Sequence, residues 1–284
     1  MEILLYERMN AAMLPAPNYV SRAPWEYDIA PFEIIDKVYY VGNKSVSAHL
    51  FDTGEGLLLL DTTYSETAYL LFESIRELGF EPKDIRWIVH SHAHIDHFGA
   101  TRYLVEKYGC KTYMPAADLE FLTTRSELNW CADLDMSYEP PYDTYFDVDV
   151  AIHPGDVFTF GDIKMTAYCA AGHTPGTMAY VFEMPGGLKA AMHGGIGMNT
   201  LTGEYTKKHH LGTAWRDAFI DSLNRLYGLE VDVVLGNHPA QNDTFGKLER
   251  RTEDNNPFID PTEWDRMINM LRDKYHKRMM SDPL

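Results

Sequence analysis

The chain has 284 residues, enough for one large core or two small ones. It is 45% hydrophobic and 24% charged, ordinary for a soluble globular protein, but its net charge of -17 repels a phosphate backbone and an anionic membrane face. The longest basic stretch, Lys207-Lys208-His209-His210, is too short to offset that charge. Nucleic acid and membrane are thus excluded as expected partners, and a small-molecule substrate remains. Three cysteines, Cys110, Cys131 and Cys169, are too few and too scattered for a disulfide framework or a C-x-x-C zinc pattern. Glu2, Glu7 and Arg8 interrupt any apolar stretch of a signal peptide, and no run approaches a membrane span, so a cytoplasmic protein is expected.

Residues 1–30 are rich in Pro, Asn and aromatics and show no period. They read as an N-terminal extension that packs on the body or on a second copy, which would make a homo-oligomer. Residues 31–284 read as a single domain. Strands are predicted at Val38–Val41, Ser47–Phe51 and Leu57–Leu60, with Gly54-Glu55-Gly56 turning the last two into a hairpin. Ala68, Leu71, Phe72, Ile75 and Leu78 form one helical face, closed by Gly79. The apolar run Ile85-Arg86-Trp87-Ile88-Val89 predicts a buried strand, and Phe98–Tyr108 a helix. Lys111–Met114 reads as a short strand and Ala116–Leu128 as helical. Residues 129–149, with Trp130, Tyr138, Tyr142, Tyr145 and Phe146, are the least regular. They form either a lid facing substrate or a loop pinned by its aromatics.

Strands follow at Val157–Phe160, Ile163–Cys169, Met178–Phe182 and Leu188–Met192, a helix at Thr213–Tyr227, and a strand at Val231–Leu235. Helical segments at Thr244–Arg251 and Thr262–Met280 end the chain, the last being a C-terminal helix. Strands then helices, twice over, predict an α+β fold of two packed sheets flanked by helices, with a site at the sheet edge.

Between the buried strand and its helix stands His92-Ala93-His94-Ile95-Asp96-His97, four metal-competent side chains in six residues. Imidazole and carboxylate are the ligands that Zn²⁺ takes. Two more histidines occupy turns after predicted strands: Gly172-His173-Thr174-Pro175-Gly176 and Gly236-Asn237-His238-Pro239. One histidine after a strand is commonly structural, but three such turns are better explained by one shared site.

H-x-H-x-D-H followed by G-H-T-P-G resembles the metallo-β-lactamase superfamily, over about Pro31 to Arg250. Pro31-Phe32-Glu33 through Tyr39-Tyr40-Val41-Gly42, the hairpin ending in Asp61, and Asn237-His238-Pro239 resemble its subclass B3 branch most closely. The resemblance implies a four-layer αββα sandwich and two zinc ions. Carried over residue by residue, His92, His94 and His173 would bind the first ion, and Asp96, His97 and His238 the second. Asp61 would fix the tautomer of a ligand imidazole. Many members carry a bridging aspartate where this chain has Gly195, and the B3 branch also lacks a ligand there. The missing charge predicts a second ion held more weakly than the first. His193 is a possible substitute ligand, and His193, Gly195, Tyr142 and Tyr145 are possible substrate contacts. Gly195 and Gly197 also lack the hydroxyls that B3 enzymes offer to a substrate carboxylate.

The implied chemistry is attack by a metal-bound hydroxide on an amide or ester carbonyl of a small, cyclic molecule, with Asp96 orienting the nucleophile. The alternatives are a lactonase or a glyoxalase II-like thioesterase. Further off lie an iron-dependent oxidoreductase of the same superfamily and a scaffold that has lost its chemistry. Six intact ligand positions argue against the scaffold.

Overall fold

The computed structural model describes residues 23–129 and 143–282. A seven-stranded sheet comprises β1 (Phe32–Ile35), β2 (Val38–Tyr40), β3 (His49–Asp52), β4 (Leu57–Leu60), β5 (Ile85–Val89), β6 (Lys111–Pro115) and β7 (Val150–Ile152), in sequence order. The first four strands pair antiparallel, and β4 to β7 pair parallel. A five-stranded sheet holds β8 (Val157–Phe160), β9 (Ile163–Cys169), β10 (Met178–Glu183), β11 (Lys189–His193) and β12 (Val233–Gly236), ordered β12-β11-β10-β9-β8. Only β11 and β12 pair parallel in it.

Alternation along the strands sorts side chains into three apolar layers. Leu58 and Leu60 of β4 meet Tyr180 and Phe182 of β10 and Val233 and Leu235 of β12 between the sheets. Leu57 and Leu59 face outward onto Leu71 and Ile75 of the helix Ala68–Glu77 and Leu104 of the helix Thr101–Tyr108. On the other sheet Ala179, Val181 and Val234 face Phe219 and Leu223 of the helix Ala214–Leu226, and Trp264, Ile268 and Leu271 of the helix Glu263–Ser281. The layers are therefore helix, sheet, sheet, helix. β4 is buried along its whole length because both its faces are covered, which is why it reads as an unbroken run of leucines. Burying each such side chain contributes about 1.5–3 kcal/mol.

Several elements differ from expectation. β1 and β7 are additional: β1 is a bulged edge strand, and each has only one fully paired neighbour. A short helix at Gly203–Lys208, capped by Thr202 Oγ1 accepting from Tyr205 N, is also additional. Residues 116–128, predicted helical, form two 3₁₀ segments, Ala116–Leu122 and Ser126–Leu128. The helix predicted from Phe98 is split into Ile95–Phe98 and Thr101–Tyr108. At the break, a Cβ on Gly99 would lie 2.4 Å from Ser65 N, so the two backbones meet where only glycine fits. Of the irregular stretch, Trp130, Tyr138 and Tyr142 lie outside the described residues, as does most of the extension. Phe146 is buried against His90 and Phe98, while Tyr145 is exposed and donates from its hydroxyl to Asp147 Oδ1.

Candidate metal centre

The His-rich turn begins where β5 leaves the sheet. His94 precedes the single turn of helix Ile95–Phe98, and Asp96 and His97 lie within that turn. His173 stands on the connection from β9 to β10, and His238 follows β12. Gly172 makes the His173 turn possible. Its φ is +138°, and a Cβ there would lie 2.6 Å from Phe219 Cα.

These turns bring the six expected ligands into two groups. His92, His94 and His173 offer ligand atoms within 4.8 Å of one another, and so do Asp96, His97 and His238. In the first group the ring centroids are 4.6 Å apart for His92–His94, 4.8 Å for His92–His173 and 4.6 Å for His94–His173. His92 and His97, at 4.3 Å, join the groups. All six are buried except His238, whose side chain is 35% exposed.

The free lone pairs follow from the hydrogen bonds. His97 Nδ1 donates to Asp61 Oδ2 at 2.8 Å, His173 Nδ1 to Gly197 O at 3.0 Å, and His238 Nδ1 to Ser45 O at 2.8 Å. Each ring therefore keeps a bare Nε2. Ser91 Oγ donates to Asp61 Oδ2 at 2.7 Å and stands 3.0 Å from His92 Nδ1, which donates to it. Asp61 thus sets His97 directly and His92 through Ser91, while its Oδ1 accepts from Ser91 N at 2.7 Å. Asp61 takes a left-handed φ of 61°, a conformation in which aspartate is enriched.

The donor set fits divalent cations on four observations. Burial first, and then the neighbouring imidazoles, hold His92 and His94 well below the usual histidine pKa, so both rings are neutral at pH 7, as a metal ligand must be. Burial, partly offset by the bond to Gly197 O, brings His173 down to about 4. Burial alone would lower His97 too, but Asp96 and Asp61 outweigh it and raise the ring, because the two carboxylates make this place favourable to positive charge. Lastly, Asp96 Oδ1 is buried with no hydrogen-bond partner, while Oδ2 lies 3.5 Å from both His97 Nε2 and His238 Nε2. A buried carboxylate oxygen left so costs about 1–3 kcal/mol unless an ion or water satisfies it.

Other expected residues are placed less centrally. His193 ends β11, is buried, and is lowered to about 3, chiefly by burial; its Nδ1 accepts from Gly195 N at 3.3 Å. It joins neither ligand group. Gly195 lies against His173: a Cβ there would be 2.6 Å from His173 Cδ2. The His173 ring thus occupies the space a side chain at 195 would need. Sequence reasoning missed Ser91, Ser45 and Asp118, and it named Gly197 only for its lack of a hydroxyl, not for its carbonyl. Ser45 and Gly197 act through backbone carbonyls, which carry no signal in residue type. Asp118 lies in the segment that reads as an ordinary helix.

Two packed sheets carrying a pair of three-ligand groups at their edge define a metal-dependent hydrolase fold. The chain belongs to the metallo-beta-lactamase superfamily, whose sequence profile matches residues 41–188, just over half of it. The structure is similar to BJP-1, a subclass B3 metallo-beta-lactamase of Bradyrhizobium japonicum. That likeness has 26% identity and a TM-score of 0.79, over 92% of this chain and 98% of that one. It is also similar to the FEZ-1 metallo-beta-lactamase of Legionella gormanii, with 25% identity and a TM-score of 0.78, over 90% and 97%. In sequence it is 24% identical over 124 residues to the N-acyl homoserine lactonase AttM of Agrobacterium fabrum. That match spans 40% of this chain and only 41% of the relative. No helix among the described residues is long and apolar enough to cross a membrane.

Proposed function

We propose that the chain is a zinc-dependent hydrolase that opens an amide or ester carbonyl in a small cyclic molecule. The supporting observation is the pair of adjoining ligand groups, each with its imidazole lone pairs set by hydrogen bonds. Zinc ions there would supply an activated water at neutral pH and polarise the carbonyl. The chain's own residues do the arranging. Asp61 orients His97 and His92, Gly197 O orients His173, and Ser45 O orients His238. Asp96 Oδ1 is the buried acceptor available to orient a nucleophile or to ligate.

The β-lactam reading draws on the subclass B3 likeness and the lactone reading on the AttM likeness. The glycines at 195 and 197 favour testing both, because neither position offers a hydroxyl to hold a substrate carboxylate. Zinc-loaded protein should hydrolyse at least one class in a panel of chromogenic β-lactams, N-acyl homoserine lactones and thioesters. Full zinc occupancy with turnover of none of them would refute the reading.

The second ion is the weaker bound. His238 is the most exposed of the six ligands, and no carboxylate fits at 195 to add charge. Dialysis against graded chelator should therefore remove one ion before the other, and simultaneous loss of both would sink this ordering.

A further inference from the structure

A single buried carboxylate outside both ligand groups joins the two turns that carry the first one. Asp118 is fully buried in the 3₁₀ segment after β6. Its Oδ2 accepts from Ala93 N at 3.0 Å, the amide between His92 and His94. The same oxygen accepts from Thr174 Oγ1 at 2.7 Å, beside His173. Its Oδ1 accepts from Gly176 N at 2.6 Å, at the far end of the His173 turn. Among the described residues it forms no ion pair, hydrogen-bonds to no ligand side chain and belongs to neither group, so neither surface charge nor direct ligation accounts for it.

The last glycine of Gly172-His173-Thr174-Pro175-Gly176 is explained by the same contact. A Cβ on Gly176 would lie 2.6 Å from Asp118 Cγ and Oδ1. The turn therefore closes onto the carboxylate at van der Waals limits, with Thr174 and Gly176 both donating inward. We propose that Asp118 is the positioning residue of the first metal group, clamping the His92–His94 turn to the His173 turn so that three imidazoles converge on one ion. This rests on the reading of His92, His94 and His173 as metal ligands.

An ionised carboxylate suits the place because every partner is a donor. An amide does not: whichever way Asn were turned, its NH₂ would confront either Ala93 N–H or Gly176 N–H. Asp118→Asn is thus nearly isosteric and breaks the clamp on one side. Groups that orient metal ligands typically carry about 10–100-fold in metal affinity, so a loss of at least about tenfold at the first site is expected. The second group, braced by Asp61 and Ser45, should keep its affinity.

The experiment is site-resolved Co²⁺ binding, followed by visible spectra and chelator competition, in wild type and Asp118→Asn. The expected result is weaker first-site binding with altered first-site bands and an unchanged second site. Equal loss at both sites, or unchanged binding at both, overturns the proposal. If wild-type protein binds no metal at all, it is the ligand reading that fails, not the clamp alone. Should Asp118→Asn not fold, Gly176→Ala, which pushes the carboxylate from its seat, is measured the same way: selective loss at the first site supports the clamp, and equal loss or none overturns it.

Discussion

The two ligand groups are assembled differently. His92, His94 and His173 sit on two turns that meet at the buried carboxylate of Asp118. Asp96, His97 and His238 come from one helical turn and one strand end, braced by Asp61 and by the carbonyl of Ser45. The first group is closed on all sides, whereas the second keeps one face toward solvent through His238. A closed group depends on the backbone around it, and an open one on the side chains behind it. That difference predicts which substitutions loosen which ion.

The largest effect that separates them is a pH dependence carried by Asp118. Burial, with a small contribution from Glu120, raises its carboxyl from 3.8 to about 6, although its bonds to Thr174, Ala93 and Gly176 pull the other way. A carboxyl whose folded pKa is raised binds its proton more tightly in the native state. Its stabilising contribution is therefore present below about pH 4 and is lost as pH rises through about 6. The stability advantage of metal-free wild type over Asp118→Asn should shrink by on the order of 3 kcal/mol between pH 4 and pH 7. Denaturant unfolding at a series of pH values measures it, and a difference that stays flat with pH contradicts it. Without metal, Asp118 is thus held as a carboxylate at neutral pH against its own burial.

Next in size is the brace of the second group. Asp61→Asn tolerates the same left-handed backbone but replaces an oxygen that accepts from His97 Nδ1 and Ser91 Oγ. Affinity for the second ion should fall about 10–100-fold. The first ion should be affected less, because Asp61 reaches His92 only through Ser91. Calorimetric titration with zinc resolves the two events. A larger loss at the first site would show that the division between the groups is misplaced.

The same contrast explains what could be read in the sequence. The unbroken leucines of β4, the apolar run of β5 and the 3.6-residue stripe of Ala68–Glu77 are patterns of burial on one or two faces, and composition records burial directly. The residues that gather into the two groups stand out in the sequence because four metal-competent side chains fall within six positions and two more histidines follow predicted strands. Their supports were not. Asp118 sits in a segment that reads as an ordinary helix, and only the folded chain shows its side chain accepting from both turns of the first group. Ser45 and Gly197 contribute carbonyls that every residue has. Gly195 was legible as a missing carboxylate, but only the folded chain shows the His173 ring packed into the space a side chain there would take.

The smallest effect concerns the most exposed ligand. Ser45 O holds His238 only because the 43–46 loop is folded under it. Asn43 Oδ1 accepts from Ser45 N at 2.8 Å and Val46 N at 2.9 Å, closing a local turn, and its Nδ2 donates to Thr67 Oγ1 at 3.2 Å. Tyr40 OH donates to the Asn43 carbonyl, and Ser47 N to Asn237 O, so the loop is tied to both the sheet and the His238 turn. Asn43→Ala removes the turn-closing acceptor while leaving every ligand in place. It should lower stability by about 1–2 kcal/mol, the usual cost of leaving buried donors unmatched. It should also weaken the second ion by a few-fold, less than Asp61→Asn does, because a carbonyl orients an imidazole without adding charge. Asn43→Asp keeps the acceptor and should restore most of the second-ion affinity. If the alanine variant weakens the first ion as much as the second, the loop acts on the whole edge of the sheets rather than on His238, and the open group is no more independent than the closed one.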